Sequence, residues 1–194
     1  MLDLDKKEIE KYKCYLEENL SEKRYKHSLN VATEALKLAE RYGADVDRCY
    51  LAGLLHDIAK ELPVEKQLEY VKLSDLDVSE AEKSIKPVLH GISGAVLVDK
   101  LFNIKDSEIR NAIRYHTVAR ANMSLVEEII YIADIISEDR DYKNIDEMRN
   151  YALISVDKVM YEALKYSVKK LANRNKIIPI STIEAYNQYV VRNK

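Results

Sequence analysis

All four histidines and two aspartates stand where apolar helical faces or helix ends are expected. His56-Asp57 follows Leu51-Ala52-Gly53-Leu54-Leu55 and precedes Ile58-Ala59. Asp134 follows Ile129-Ile130-Tyr131-Ile132-Ala133 and precedes Ile135-Ile136. A carboxylate buried in such a run costs on the order of several kcal/mol unless it is paired, hydrogen-bonded or bound to a metal. His27 lies one turn before Val31, on the face that the apolar residues of its helix share. His90 precedes Gly91 early in an apolar stretch, and His116 ends a helix before Thr117. Singly, each has an ordinary explanation: a chance His-Asp dipeptide, an aspartate paired with an arginine, a satisfied helix histidine. Pooled, they point to a metal. Imidazole with carboxylate suits iron(II), manganese, cobalt, nickel or zinc. Cysteine ligands are missing from the pattern, which argues against a structural zinc site.

Helices must position these groups. Asp5 with Glu8, Ser79 with Glu82, Ser124 with Glu127, Asn144 with Glu147 and Ser181 with Glu184 have capping-box spacing. Gly43 suits the residue after a helix, and Pro63 and Pro87 suit first turns. The expected helices are 5–20, 22–42, 47–60, 63–73, 79–85, 87–102, 107–116, 125–138, 145–173 and 182–192. Val31, Ala35, Leu38 and Tyr42 form a core stripe, widened by Leu29, Ala32, Leu36 and Ala39. No alternating strand is visible, so the fold class is all-α. One domain over 1–194 is expected, its motif-bearing core at about 20–142 and helices 145–192 packing on it.

The bulk properties agree. The chain has 194 residues and only 4 Gly and 3 Pro, too few turn residues for an all-β fold. Its net charge of −2 gives no basic excess for nucleic acid. Cys14 and Cys49 form no CxxC pair, which fits a reducing cytoplasm. The N-terminus lacks an apolar signal region, and no uncharged stretch approaches the ~20 residues of a membrane span. The expectation is a soluble, cytoplasmic protein with no membrane or nucleic-acid partner; a C2 homodimer is the base-rate default.

The ordered motifs resemble the HD-domain phosphohydrolase superfamily, whose pattern is a His, a His-Asp pair and a distant Asp on helices around a divalent metal. The segments Arg24–Ala32, Gly53–Lys60, Tyr115-His116-Thr117, Ile130–Asp134 with Arg140, and Pro179…Thr182…Tyr186-Asn187 are similar to the bacterial symmetrical bis(5′-nucleosyl)-tetraphosphatases. The resemblance runs over about residues 20–190. It implies an all-α HD domain, iron(II), and hydrolysis of diadenosine tetraphosphate at its centre to two ADP. It also implies that Lys176–Thr182, with Pro179, Ile180 and Thr182, lines the nucleotide site.

On that reading His27, His56, Asp57 and Asp134 ligate the metal, and Asp57 or a nearby carboxylate orients or deprotonates a water that the ion acidifies. Lys60, one turn after His56, would meet a phosphate. Arg24 and Arg140 are candidate phosphate clamps. His90 and His116 would either bind phosphate and protonate the leaving group or hold a second metal. Phosphate contact is favoured, because few carboxylates accompany them. The alternatives are another HD-type nucleotide phosphohydrolase (a nucleotidase, a dNTP triphosphohydrolase, a cyclic-dinucleotide or guanosine-tetraphosphate hydrolase) or an inactive metal- or nucleotide-binding signalling module.

Overall fold

The computed structural model describes residues 4–74 and 78–194. Among them the chain forms eleven α-helices and no strand: α1 Lys6–Asn19, α2 Glu22–Tyr42, α3 Val46–Leu55, α4 Val64–Lys72, α5 Glu80–Ser84, α6 Lys86–Phe102, α7 Ser107–Tyr115, α8 Leu125–Ile136, α9 Ile145–Ile154, α10 Val156–Asn173 and α11 Ile180–Arg192. None of them is long and apolar enough to cross a membrane.

Helix α8 is apolar nearly all round, and such a helix has to be enclosed on all sides. Ile129, Ile130, Ile132 and Ala133 are fully buried, with α2, α3, α7 and α10 packed against α8. The main apolar cluster runs from Tyr12 to Tyr189. A smaller one joins Val71, Val88, Leu89, Ile92 and Val118 beneath α4 and α6.

The local rules held at Ser79 and Ser124, which form complete capping boxes with Glu82 and Glu127. Gly43 ends α2 in the left-handed region, and Pro87 sits in the first turn of α6. Elsewhere they failed, and Pro63 stands before α4 rather than in its first turn. Asp5 caps α1 through Lys7 N without a box. Asn144 precedes α9 but makes no side-chain cap. Helix α11 starts at Ile180 behind Pro179, so Ser181 lies inside it rather than capping it. The expected helix 145–173 is two helices. Ser155 is extended (φ −163°, ψ 153°), and its hydroxyl accepts from Lys158 N. That local bond caps α10 and ends α9.

The expected helix 47–60 stops at Leu55. Beyond it Ile58 N donates to Leu55 O (3.1 Å) and Lys60 N to Asp57 O (2.9 Å). These i→i−3 bonds wind the chain more tightly than an α-helix. His56 and Asp57 lie at the start of this tighter turn, both buried in the bundle.

Candidate metal centre

Two close helix approaches bring the histidines together. A Cβ on Gly53 would lie 3.0 Å from Ala32 Cα. Only a bare backbone lets α3 press on α2 there, and the His27 and His56 rings come within 5.2 Å, centroid to centroid. A Cβ on Gly91 would lie 2.9 Å from Arg114 O. That contact between α6 and α7 sets the His90 and His116 rings 4.9 Å apart.

Backbone and carboxylate acceptors fix the ring orientations. His56 Nδ1 faces Gly53 O at 2.7 Å, and His116 Nδ1 faces Ile113 O at 2.7 Å. A carbonyl only accepts, so both Nδ1 atoms carry the proton and both Nε2 atoms present a lone pair. His27 Nδ1 faces Asp139 Oδ2 at 2.8 Å, and Asp139 also accepts from Asn30 Nδ2 at 3.1 Å. This is the carboxylate–imidazole arrangement that orients a metal-binding histidine.

The lone pairs converge. His27 Nε2 is 2.9 Å from Asp134 Oδ1; His56 Nε2 is 3.4 Å from Asp57 Oδ2 and 3.8 Å from Asp134 Oδ1. On the other side of the same carboxylate, Asp57 Oδ1 is 3.1 Å from His90 Nε2 and 3.6 Å from His116 Nε2. His90 and His116 meet through their Nε2 atoms at 3.0 Å. Buried acceptors this close repel one another unless a cation or proton lies among them. His56 Nε2 and Asp57 Oδ1 are buried with no hydrogen-bond partner. Two overlapping groups of donors could hold an ion, His27–His56–Asp134 and His56–Asp57–His116. The donor set therefore fits a divalent metal of the borderline class.

Electrostatics agree. Burial alone would raise the Asp57 carboxyl, but His56, His116 and His90 hold it well below the usual carboxylate range. Burial would likewise raise Asp134; the His27 bond and the Arg140 charge, with that of His56 whenever its Nε2 is protonated, hold it far lower. Burial pushes the His90 imidazole down to about 4, so at neutral pH it offers a lone pair.

Residues 24–139, spanning every element of this cluster, match the HD-domain family. The chain belongs to the HD-domain family. HD phosphohydrolases use a divalent metal, and the His and Asp groups here are able to hold one. Along its length the chain is similar to the symmetrical bis(5′-nucleosyl)-tetraphosphatase of Staphylococcus aureus, 37% identical over 93% of this chain and 94% of that one. The enzyme of the same name from Bacillus subtilis is 31% identical over 90% of this chain and 94% of that one. A crystal structure described as a predicted HD superfamily hydrolase involved in NAD metabolism, from Clostridium acetobutylicum, superposes with a TM-score of 0.91. It is 38% identical and covers 95% of this chain and 97% of its own.

The remaining expected residues of the HD site are distributed unevenly. Lys60 Nζ lies 3.1 Å from His90 Nε2 and 3.6 Å from Asp57 Oδ1, on the second-pair side. Arg24 donates to Asp57 Oδ2 at 2.7 Å. Arg140 donates to the Asp134 carboxylate and, through Nε, to Asp134 O at 2.6 Å. Both arginines thus reach the site, but each has N–H groups committed to a ligand carboxylate. Pro179 and Thr182 are buried, and the Thr182 hydroxyl donates to Val118 O at 2.7 Å. They tie α11 to the loop two residues beyond His116. Of the three expected contacts on this segment, Ile180 alone is exposed, at 70%.

Sequence reasoning missed Asp139 and Asn30, the two residues that hold His27. Its signal was faint: an acidic residue beside Arg140, with its partner 112 positions away. It also missed Arg114, two residues before His116, 1% exposed and bonded to Glu82 at 2.6 Å.

Proposed function

We propose that this chain hydrolyses diadenosine tetraphosphate symmetrically, giving two molecules of ADP. The observation that carries this reading is the convergence of Nε2 lone pairs on both oxygens of Asp57, in a chain aligned almost end to end with the symmetrical tetraphosphatases. His27, His56, Asp57 and Asp134 would hold the divalent ion, with iron(II) our choice among metals that suit the set. When bound, the ion supplies an acidified water and positive charge at a phosphoryl oxygen.

The chain's own residues do the rest. Asp57, buried and held ionised, can accept a proton from a water bound beside it in the site. Lys60 brings an ammonium group to the His90 side, where negative charge on an inner phosphate would gather. The free N–H groups of Arg24 and Arg140 flank the ligands and can meet phosphate oxygens. Ile180 and the buried Pro179 and Thr182 place the start of α11 beside the His116 loop, where one nucleoside would rest.

For His90 and His116 the geometry favours a second ion over phosphate contact. Asp57 would serve as the carboxylate for both ions, since its Oδ1 faces this pair while Oδ2 faces His56. Free Cys14 and Cys49 support a cytoplasmic setting. A single domain and a C2 homodimer complete the reading, the latter from base rates.

The test is direct. Protein loaded anaerobically with iron(II) is incubated with diadenosine tetraphosphate, and the products are separated beside an Asp57→Ala control. ADP alone, absent from the control, supports the reading. ATP with AMP refutes the position of cleavage. No product transfers the activity to another nucleotide phosphohydrolysis.

A further inference from the structure

Symmetrical cleavage sets a geometric demand: the inner phosphates must be held in register with the site, and a subsite for each nucleoside diphosphate half would do this. The start of α11 accounts for one half. A cavity of about 650 Å³ lies between the end of α8, the loop that follows it, α9 and α10. Its volume is in the range of small-molecule sites, roughly 300–1,000 Å³.

The cavity is joined to the metal centre through Arg140, while no candidate ligand lines it. Arg140 lines it while also donating to the Asp134 carboxylate. Lys143 and Lys170 add two ammonium groups to the wall, and neither forms an ion pair among the described residues. Tyr142, Tyr151 and Tyr166 supply aromatic surface. Lys170 Nζ sits 5.4 Å from the Tyr166 ring centre, a cation beside a stacking face. The Tyr142 hydroxyl is buried without a hydrogen-bond partner, which a packed interior rarely tolerates. Two glutamates also border the space. Glu162 is already bonded to Lys158 at 3.0 Å and Lys165 at 3.4 Å, and Glu147 offers an acceptor for a ribose hydroxyl or an exocyclic amine. Cations at the metal end, aromatic rings beyond and a few unmet polar groups are what a nucleoside diphosphate requires.

We propose that this cavity is the subsite for the second purine nucleoside 5′-diphosphate half of the substrate, with Arg140, Lys143 and Lys170 meeting phosphates and Tyr142 and Tyr166 facing the nucleoside. The proposal rests on the symmetrical-hydrolase reading for its substrate, but its test has an independent arm.

Tyr166→Ala and Lys170→Glu alter exposed positions on the rim, so folding should survive, and a melting curve checks it. Tyr142→Phe removes only the unmet hydroxyl. ADP is titrated by calorimetry into the metal-loaded protein and each variant. The expected result is two ADP per chain for the parent and one for Tyr166→Ala and Lys170→Glu, with Tyr142→Phe weakening the same site. In steady-state hydrolysis, the two rim variants should raise KM for diadenosine tetraphosphate by roughly tenfold more than they lower kcat, the scale of a lost base–aromatic stack. One ADP per chain in the parent, unaffected by the variants, overturns the proposal even if ADP remains the reaction's sole product. If the parent makes no ADP yet binds two equivalents with the predicted variant losses, the cavity stands as a nucleotide subsite and the assigned reaction falls.

Discussion

Asp139 Oδ2 lies 2.8 Å from His27 Nδ1, joining two residues 112 positions apart. The contact fixes which ring nitrogen of His27 keeps its proton, and so which one faces Asp134. Replacing Asp139 with alanine should weaken divalent metal binding about 10- to 100-fold, the usual effect of losing such a partner. Asp139→Asn keeps an acceptor oxygen and should lose less. Competition against a coloured chelator reads both; equal affinity in all three proteins would show that His27 orients itself.

The two faces of Asp57 predict a stoichiometry. If Asp57 stands between two ions, His116→Ala should drop bound metal from two equivalents per chain to one, and Asp57→Ala should lower both. Elemental analysis after gel filtration gives the count. A parent with one ion, retained in His116→Ala while turnover falls, would return His90 and His116 to phosphate contact. Stripping the metal should lower Tm in either case, since an ion at 100 times its Kd stabilises by about 2.7 kcal/mol.

Gly91→Ala should be costly for a small change. The added Cβ would stand 2.9 Å from Arg114 O, a backbone atom that cannot swing aside. Overpacking of this kind costs about 1–3 kcal/mol. Forcing α6 from α7 also separates His90 from His116, so metal content should fall with Tm in denaturation and metal assays. A variant with parental Tm and metal would show that the two helices slide freely.

The Glu82–Arg114 pair carries a pH dependence. Burial alone would raise Glu82, but the Arg114 bond and charge, with Ser79, lower it below its ordinary value. The unfolded chain, near 4.3, therefore binds a proton before the folded one does. The pair's contribution is complete above the unfolded value and is lost as pH falls through the depressed folded value. At pH 7, Glu82→Gln leaves a buried arginine without its counter-charge and should cost about 3–5 kcal/mol. In urea denaturation that cost should shrink below pH 4. A difference independent of pH would mean that the pair acts by packing alone.

The sequence by itself singled out the candidate ligands and most of the helices around them. Both are written in short-range chemistry. A His-Asp pair or an aspartate inside an isoleucine run is anomalous without knowledge of any partner, and Ser79 and Ser124 cap through residues three positions on. Tertiary structure decided what depends on distant groups. It set the aim of Arg24 and Arg140, whose carboxylate partners lie on other helices or beyond a turn. It brought Asp139 to His27 and Arg114 to Glu82. The cavity between α8 and α10 also belongs to it, because a space has no residue of its own. The break at Ser155 lies between the two levels. Its capping bond to Lys158 is local, but a serine inside an otherwise helical pattern signals a cap only when packing bends the chain there. Spacing along one helix fixes which side chains share a face; which faces meet, and which oxygen of Asp57 meets which histidine, is fixed only when α2, α3, α6, α7 and α8 close on one another.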